Sequence, residues 1–229
     1  MHPHPAAPWF DSAIARLEAR KGNRLLALAP RRDEAQQLLA LIGKAGELTL
    51  VLTDEALADD LAGRDWPGLR LLLLEATGEE TFGTFDSLLI CPTTGPVLPA
   101  DACATLVRKN LRPGGRFVVD VPAPDMVPDL RAAWLELGWD EERLQPISGP
   151  SDIEVVDAMR TAGLRGVESS LGSHLLHVPS AGDLVASFAT PLGLTDAEEV
   201  ELRDAVVRHR KDAHALDALV HRTQVSGQR

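Results

Sequence analysis

Arg31 and Arg32 follow the apolar run RLLALAP. Two guanidinium groups side by side can grip a carboxylate or a phosphate. They can equally pair with their neighbours Asp33 and Glu34 as solvated loop residues. Asp54 and Glu75 close two further apolar runs, ELTLVLTD and LRLLLLEA. Read locally, Asp54 caps a helix over 55–62 and Glu75 is a solvated strand end. Thr93-Thr94-Gly95 follows a fourth run, FDSLLICP, as a polar turn. The histidines do not assemble into a metal site. His174 and His177 are three apart, which on a strand points them to opposite faces. His209 and His214 do not share a helix face, and His2 and His4 lie in a Pro-rich terminus. Cys91 and Cys103 both sit in apolar surroundings, which reads as two buried thiols in a reducing compartment.

The elements that position these residues alternate regularly. Apolar strands are expected at 24–29, 47–54, 69–76, 85–92 and 115–121. Helices are expected at 11–20, 33–43, 55–62 and 100–110, the second with Asp33 and Gln36 spaced as a capping box. Continuous apolar strands imply a sheet covered on both faces. Strand–helix alternation implies parallel pairing with right-handed crossovers. Beyond Pro122 come helices at 128–138 and 152–162, a strand at 166–172, and helices at 181–188 and 196–212. The tail LVHRTQV alternates at strand period, which places a last strand at about 218–226. A helix continued from 196 to the end is the competing reading.

Composition bounds the function. The 229 residues carry 34 acidic and 23 basic side chains, a net charge of −11. Such a surface repels phosphate backbones, so nucleic acid is not an expected partner. Tyrosine is absent and only four Trp and five Phe occur, too few for an aromatic base-stacking platform. No apolar run approaches the ~20 residues of a membrane helix, and MHPHPAAPWF does not read as a secretory signal. A cytoplasmic location is expected.

The order of these elements, together with Leu111-Arg112-Pro113-Gly114-Gly115 before the fifth strand, FDSLLI in the fourth, Ala162-Gly163-Leu164 and a tail ending in Ser226-Gly227, resembles the class I S-adenosylmethionine-dependent methyltransferases. The resemblance covers roughly residues 8–227. It implies a Rossmann-like α/β fold in one domain over 1–229: a seven-stranded, mostly parallel sheet with an antiparallel last strand. A helical insertion over 174–215 would precede that strand as a lid on the carboxyl ends of the others. It also implies that Asp54 stands where an acid accepts the cofactor's ribose hydroxyls, that Glu75 stands near the adenine, and that Thr93 and Thr94 fall where the methyl acceptor is contacted.

The loop after the first strand departs from the family's G-x-G-x-G. Its three glycine positions fall on Ala29, Arg31 and Asp33, and the acid of the first strand falls on Ala27. Glycine there gives clearance and unusual backbone angles, whereas Pro30 fixes φ. Arg31 and Arg32 bring positive charge toward a sulfonium. Two like charges at ~4 Å cost up to about 4 kcal/mol at an effective dielectric near 20. Three readings follow. The leading one is a methyltransferase-like protein without a cofactor, serving binding, regulation or assembly with a small-molecule or protein partner or a second copy. The second is an active S-adenosylmethionine-dependent methyltransferase on a small molecule. The third is a sensor or enzyme that takes another nucleotide or an anion through Arg31 and Arg32.

Overall fold

A computed structural model describes residues 9–63, 66–92, 97–210 and 214–229. The chain divides into two compact units. One comprises Met1–Val121, Pro150–Ser170 and Thr223–Arg229, and the other Pro122–Gly149 and Leu171–Arg222. Seven strands form one sheet in the order β3-β2-β1-β4-β5-β7-β6. They are β1 (Arg24–Leu28), β2 (Glu47–Leu52), β3 (Leu69–Leu73), β4 (Phe85–Ile90), β5 (Leu111–Pro122), β6 (Arg165–Ser180) and β7 (His214–Gln228). β1 pairs in parallel with β2 and β4, β2 with β3, and β4 with β5.

The last strand is antiparallel, as the alternating tail implies. The Gly114 N–H donates to the Arg229 carbonyl at 2.7 Å, and the Arg229 N–H donates back to Gly115 at 3.1 Å. Farther along, the Ala123 N–H donates to the His221 carbonyl, so numbers rise on β5 as they fall on β7. Gly227 is required where β7 passes close to Phe117, because a Cβ there would meet the ring and the Arg165 carbonyl oxygen at 2.9 Å. Tail residues Ala218, Val220 and Val225 are fully buried. That burial favours a strand over a continued helix.

Two elements are longer than their apolar runs. β5 begins at Leu111 rather than 115. Its pairing with β4 shifts between Phe85 and Ser87, whose partners are Leu111 and Arg116. The Pro-Gly-Gly turn is therefore a bulge inside the strand, with Gly114 at φ 77°. β6 runs on to Ser180, so residues 174–180 are strand and the helical part of 174–215 begins at Ala181.

The first unit also holds α1 (Phe10–Leu17), α2 (Arg32–Ile42), α3 (Glu55–Ala62), α4 (Ala100–Asn110) and α6 (Asp152–Thr161). Its core joins Leu26, Leu88, Val107, Phe117, Val119 and Met159. The second unit holds α5 (Pro128–Glu136), a 3-10 turn (Glu141–Ile147), α7 (Ala181–Leu192) and α8 (Asp196–Arg210). Trp134, fully buried, packs there with Leu130, Leu184 and Leu202. Among the described residues no helix is long and apolar enough to cross a membrane.

Candidate functional site

Strands β1 and β4 are neighbours in the sheet but not in sequence, and β1 also pairs with β2. The order in which strands are added thus reverses between β1 and β4, and ligands of open α/β sheets lie beyond the carboxyl ends at such a point. Those ends are Leu28, Leu52, Leu73 and Ile90, each the last residue of its strand. A cleft opens there. It is lined by Leu28, Ala29, Val51, Thr53, Leu74, Ala76, Ile90, Pro92 and Leu98. Its free space is about 30 Å³, room for about two waters. Thr53 is the sole polar side chain among the described lining residues, and none of them is charged.

The loop after β1 is short and internally bonded. The Ala29 N–H donates to the Val51 carbonyl at 2.8 Å, and Ala29 sits at φ 49°. This is the left-handed region that favours glycine. The backbone thus keeps the angle of the family's first glycine while carrying a Cβ. Pro30 is buried and Arg31 is extended, at φ −75° and ψ 172°, as the N-cap of α2. The Arg31 N–H donates to Glu34 Oε2 at 2.7 Å. The expected capping box of Asp33 and Gln36 does not form: the N-cap is Arg31, two residues earlier, α2 starts at Arg32, and the Glu34 carboxylate accepting the Arg31 N–H is the one half of the box that is made. Glu34 is fully buried, with its charge at the positive end of the helix. Sequence reasoning passed it over as a surface acid. Its spacing three residues after the true N-cap was the available signal.

Arg31 lies outside the cleft lining. Arg32 turns to the next helix, with its Nε 2.7 Å from Asp60 Oδ2. Its guanidinium is thus committed to a carboxylate of the protein itself. Ala27, where the family's strand acid would be, is fully buried in β1.

Neither expected acid lines the cleft. β2 ends at Leu52, so Asp54 stands two residues past it as the N-cap of α3. Its Oδ1 accepts the Leu57 N–H at 3.0 Å. Glu75 is exposed beyond the end of β3. Asp54 and Glu75 thus stand just past the carboxyl ends of β2 and β3, next in sequence to the lining residues Thr53, Leu74 and Ala76. Thr93 and Thr94 lie outside the described residues. Behind Leu98, the Cys103 thiol contacts the Leu98 carbonyl at 3.7 Å, and burial pushes its pKa up to about 12. Buried behind the lining, it stays a thiol rather than a thiolate nucleophile. Among the described residues no group of three or more His, Cys, Asp or Glu could hold a metal.

The nine described lining residues offer S-adenosylmethionine a single polar side chain, Thr53. A ribose needs acceptors for two hydroxyls, and a sulfonium with its amino acid tail needs polar partners. The described lining supplies one hydroxyl. An unpaired buried polar group costs ~1–3 kcal/mol, so each unmet partner counts heavily against affinity.

No family model and no curated relative matches this sequence. Solved structures of similar shape do. The YcgJ protein of Bacillus subtilis superposes with a TM-score of 0.65 at 12% identity, over 96% of this chain and 98% of that one. Geranyl diphosphate C-methyltransferase of Streptomyces coelicolor, in complex with Mg2+, geranyl diphosphate and S-adenosyl-L-homocysteine, matches at 0.52 and 14% identity, over 96% and 79%. The [4+2]-cyclase SpnF matches at 0.51 and 15%, over 96% and 80%. The chain has the class I methyltransferase fold.

Proposed function

We propose that this protein uses the methyltransferase fold without S-adenosylmethionine and acts by binding, in a regulatory or assembly role. The observation that carries this reading is the lining of the cleft among the described residues: eight apolar residues and Thr53, with no carboxylate among them. The chemistry of the loop agrees with it. Ala29 puts a methyl group where the fold favours bare backbone. Fold alone does not fix function, and the likeness to a [4+2]-cyclase supports uses of this scaffold other than methyl transfer.

A second reading is an active methyltransferase on a small molecule. The likeness to an enzyme solved with S-adenosyl-L-homocysteine favours it. Equilibrium dialysis with radiolabelled S-adenosyl-L-homocysteine separates the two. The proposal expects no retention by the wild-type chain at millimolar ligand. The triple variant Ala29→Gly, Arg31→Gly, Asp33→Gly then locates the cause. Gained retention assigns the loss to the loop, and continued silence assigns it to the acid-free lining. Retention by the wild-type chain overturns the proposal.

A further inference from the structure

The amino ends of the strands form the edge opposite the cleft. Segments 18–24, 43–47, 66–70, 85–86, 108–116, 160–165 and 228–229 supply it: strand starts, the turns leading into them and the end of β7. All belong to the first unit. Hydrogen bonds hold them side by side. The Arg24 N–H donates to Asp86 Oδ2 at 2.7 Å, the Glu47 N–H to the Asn23 carbonyl at 3.1 Å and the Leu48 N–H to the Gly68 carbonyl at 2.8 Å.

These segments hold 12 of the 23 basic side chains and 3 of the 34 acidic ones, so a chain of net charge −11 keeps nine net positive charges on one edge. Each of the three acids already has a cation. Glu47 takes Arg24 at 2.8 Å, Asp86 takes Arg112 at 2.7 Å and Glu18 takes Arg116 at 3.1 Å. Lys44, Arg70, Arg108, Arg160 and Arg165 are exposed and make no ion pair among the described residues. Helix C-termini favour cations, which accounts for Arg108, Lys109 and Arg160. It does not account for Arg20, Lys21, Arg24, Arg70, Arg112 and Arg165, which lie in turns or at strand starts.

We propose that this edge binds the phosphate backbone of a nucleic-acid duplex. Three features select that occupant. The cations form a row rather than a pocket. Seven strands about 4.8 Å apart make it roughly 30 Å long, the rise of about eight or nine base pairs. Nine of the 12 cations are arginine, whose planar fork matches phosphate oxygens. Finally, none of the exposed large apolar side chains lies in these segments, Phe85 is buried and Trp66 is half-buried. The row thus lacks the apolar centre of a protein interface, the anchors of a membrane-surface helix and an exposed ring for stacking unpaired bases. Backbone phosphates require none of these. Net charge alone reads against such a partner, but the distribution of charge reverses that expectation. The five residues of β1 put about 16 Å between the two edges, twice the ~8 Å over which physiological salt screens a charge. Acids at the carboxyl edge therefore repel a duplex on the amino edge only weakly.

The row is separate from the cleft, so this binding stands whether or not a cofactor enters there. The test titrates the whole chain into a fluorescent DNA duplex of about 20 base pairs and reads anisotropy from about 50 to 300 mM salt. Wild type is expected to bind at ~1–100 µM at the lowest salt, with log affinity falling linearly in log salt. Lys44→Gln with Arg70→Gln removes cations at one end of the row, and Arg160→Gln with Arg165→Gln at the other. Each pair should flatten the salt slope by about 1.8 and weaken low-salt binding severalfold. Arg31→Gln with Arg32→Gln makes the same charge change at the carboxyl edge and should leave the slope unaltered. Circular dichroism must match wild type for each variant. Absence of binding at the lowest salt overturns the proposal, and so does a wild-type slope in both row variants. A slope flattened equally by the Arg31 and Arg32 changes also overturns it, since the contact would then not be this edge. Tighter binding to poly-glutamate or to phosphatidylserine vesicles at the same salt overturns the choice of occupant, in favour of an acidic protein or a membrane respectively.

Discussion

Ala29 carries a backbone angle, φ 49°, that a side chain resists. A non-glycine residue held there costs roughly 1–2 kcal/mol, offset in part because glycine loses more freedom on folding. Ala29→Gly should therefore stabilise the protein by about 0.5–1 kcal/mol, measured by urea unfolding at unchanged slope. A loss of stability would mean that the methyl group packs into the cleft wall and repays its strain. Asp54 invites the complementary test. As an N-cap bonded to the Leu57 N–H, its change to Ala should cost about 1 kcal/mol, while Asn should cost a few tenths. Were Asp54 a ligand group without a capping role, both changes would leave stability alone. At this scale the sequence was informative about residue type and less so about role. The missing loop glycines were visible at once, and the capping reading of Asp54 agrees with the geometry. Glu34 was missed because an acid next to two arginines reads as a surface ion pair. Its burial depends on where α2 begins, and the two-residue difference in the cap decides that.

Among the elements, α8 offers the clearest titration. Glu198 is held well below the usual carboxylate range, at about 2, chiefly by the hydrogen bond from Arg143 and then by Thr195. Arg143 Nη1 lies 2.9 Å from Glu198 Oε1, and its guanidinium stacks 5.3 Å from the Trp134 ring and 5.8 Å from Trp139. A depressed acid stabilises the folded state above its unfolded value and loses that contribution as pH falls through the folded one. The contribution of Glu198 should thus be complete above pH 4.5 and vanish toward pH 2. Thermal scans of wild type and Glu198→Gln should therefore differ at neutral pH and converge near pH 2. Curves that stay parallel down to pH 2 would show that the ion pair is not what separates them. Element type was well marked in the sequence, since apolar runs and helix periods reflect burial directly. Element length was not. β5 extends through Pro-Gly-Gly because glycine permits a bulge that local pattern reads as a turn. β6 extends to Ser180 because pairing with β7 supports a polar, exposed stretch that carries no strand signature of its own.

At the scale of the whole molecule, strand order β3-β2-β1-β4-β5-β7-β6 places the cleft where this fold class keeps its ligands, and the lining then decides what can enter. The order was legible through a family resemblance, because alternation fixes parallel pairing but not the sequence of neighbours. The apolar lining was not legible, since Val51, Leu74 and Leu98 look like ordinary core until four strand ends converge. The proposed function requires that this cleft not take S-adenosylmethionine. A ligand at a hundred times its dissociation constant stabilises a fold by about 2.7 kcal/mol, which for a chain of this size raises the midpoint by roughly 5–10 °C. A thermal scan of the wild-type protein with 1 mM S-adenosyl-L-homocysteine should show a midpoint within about 1 °C of the ligand-free protein. A rise of several degrees that saturates with ligand would contradict the account and make the active methyltransferase the reading to pursue.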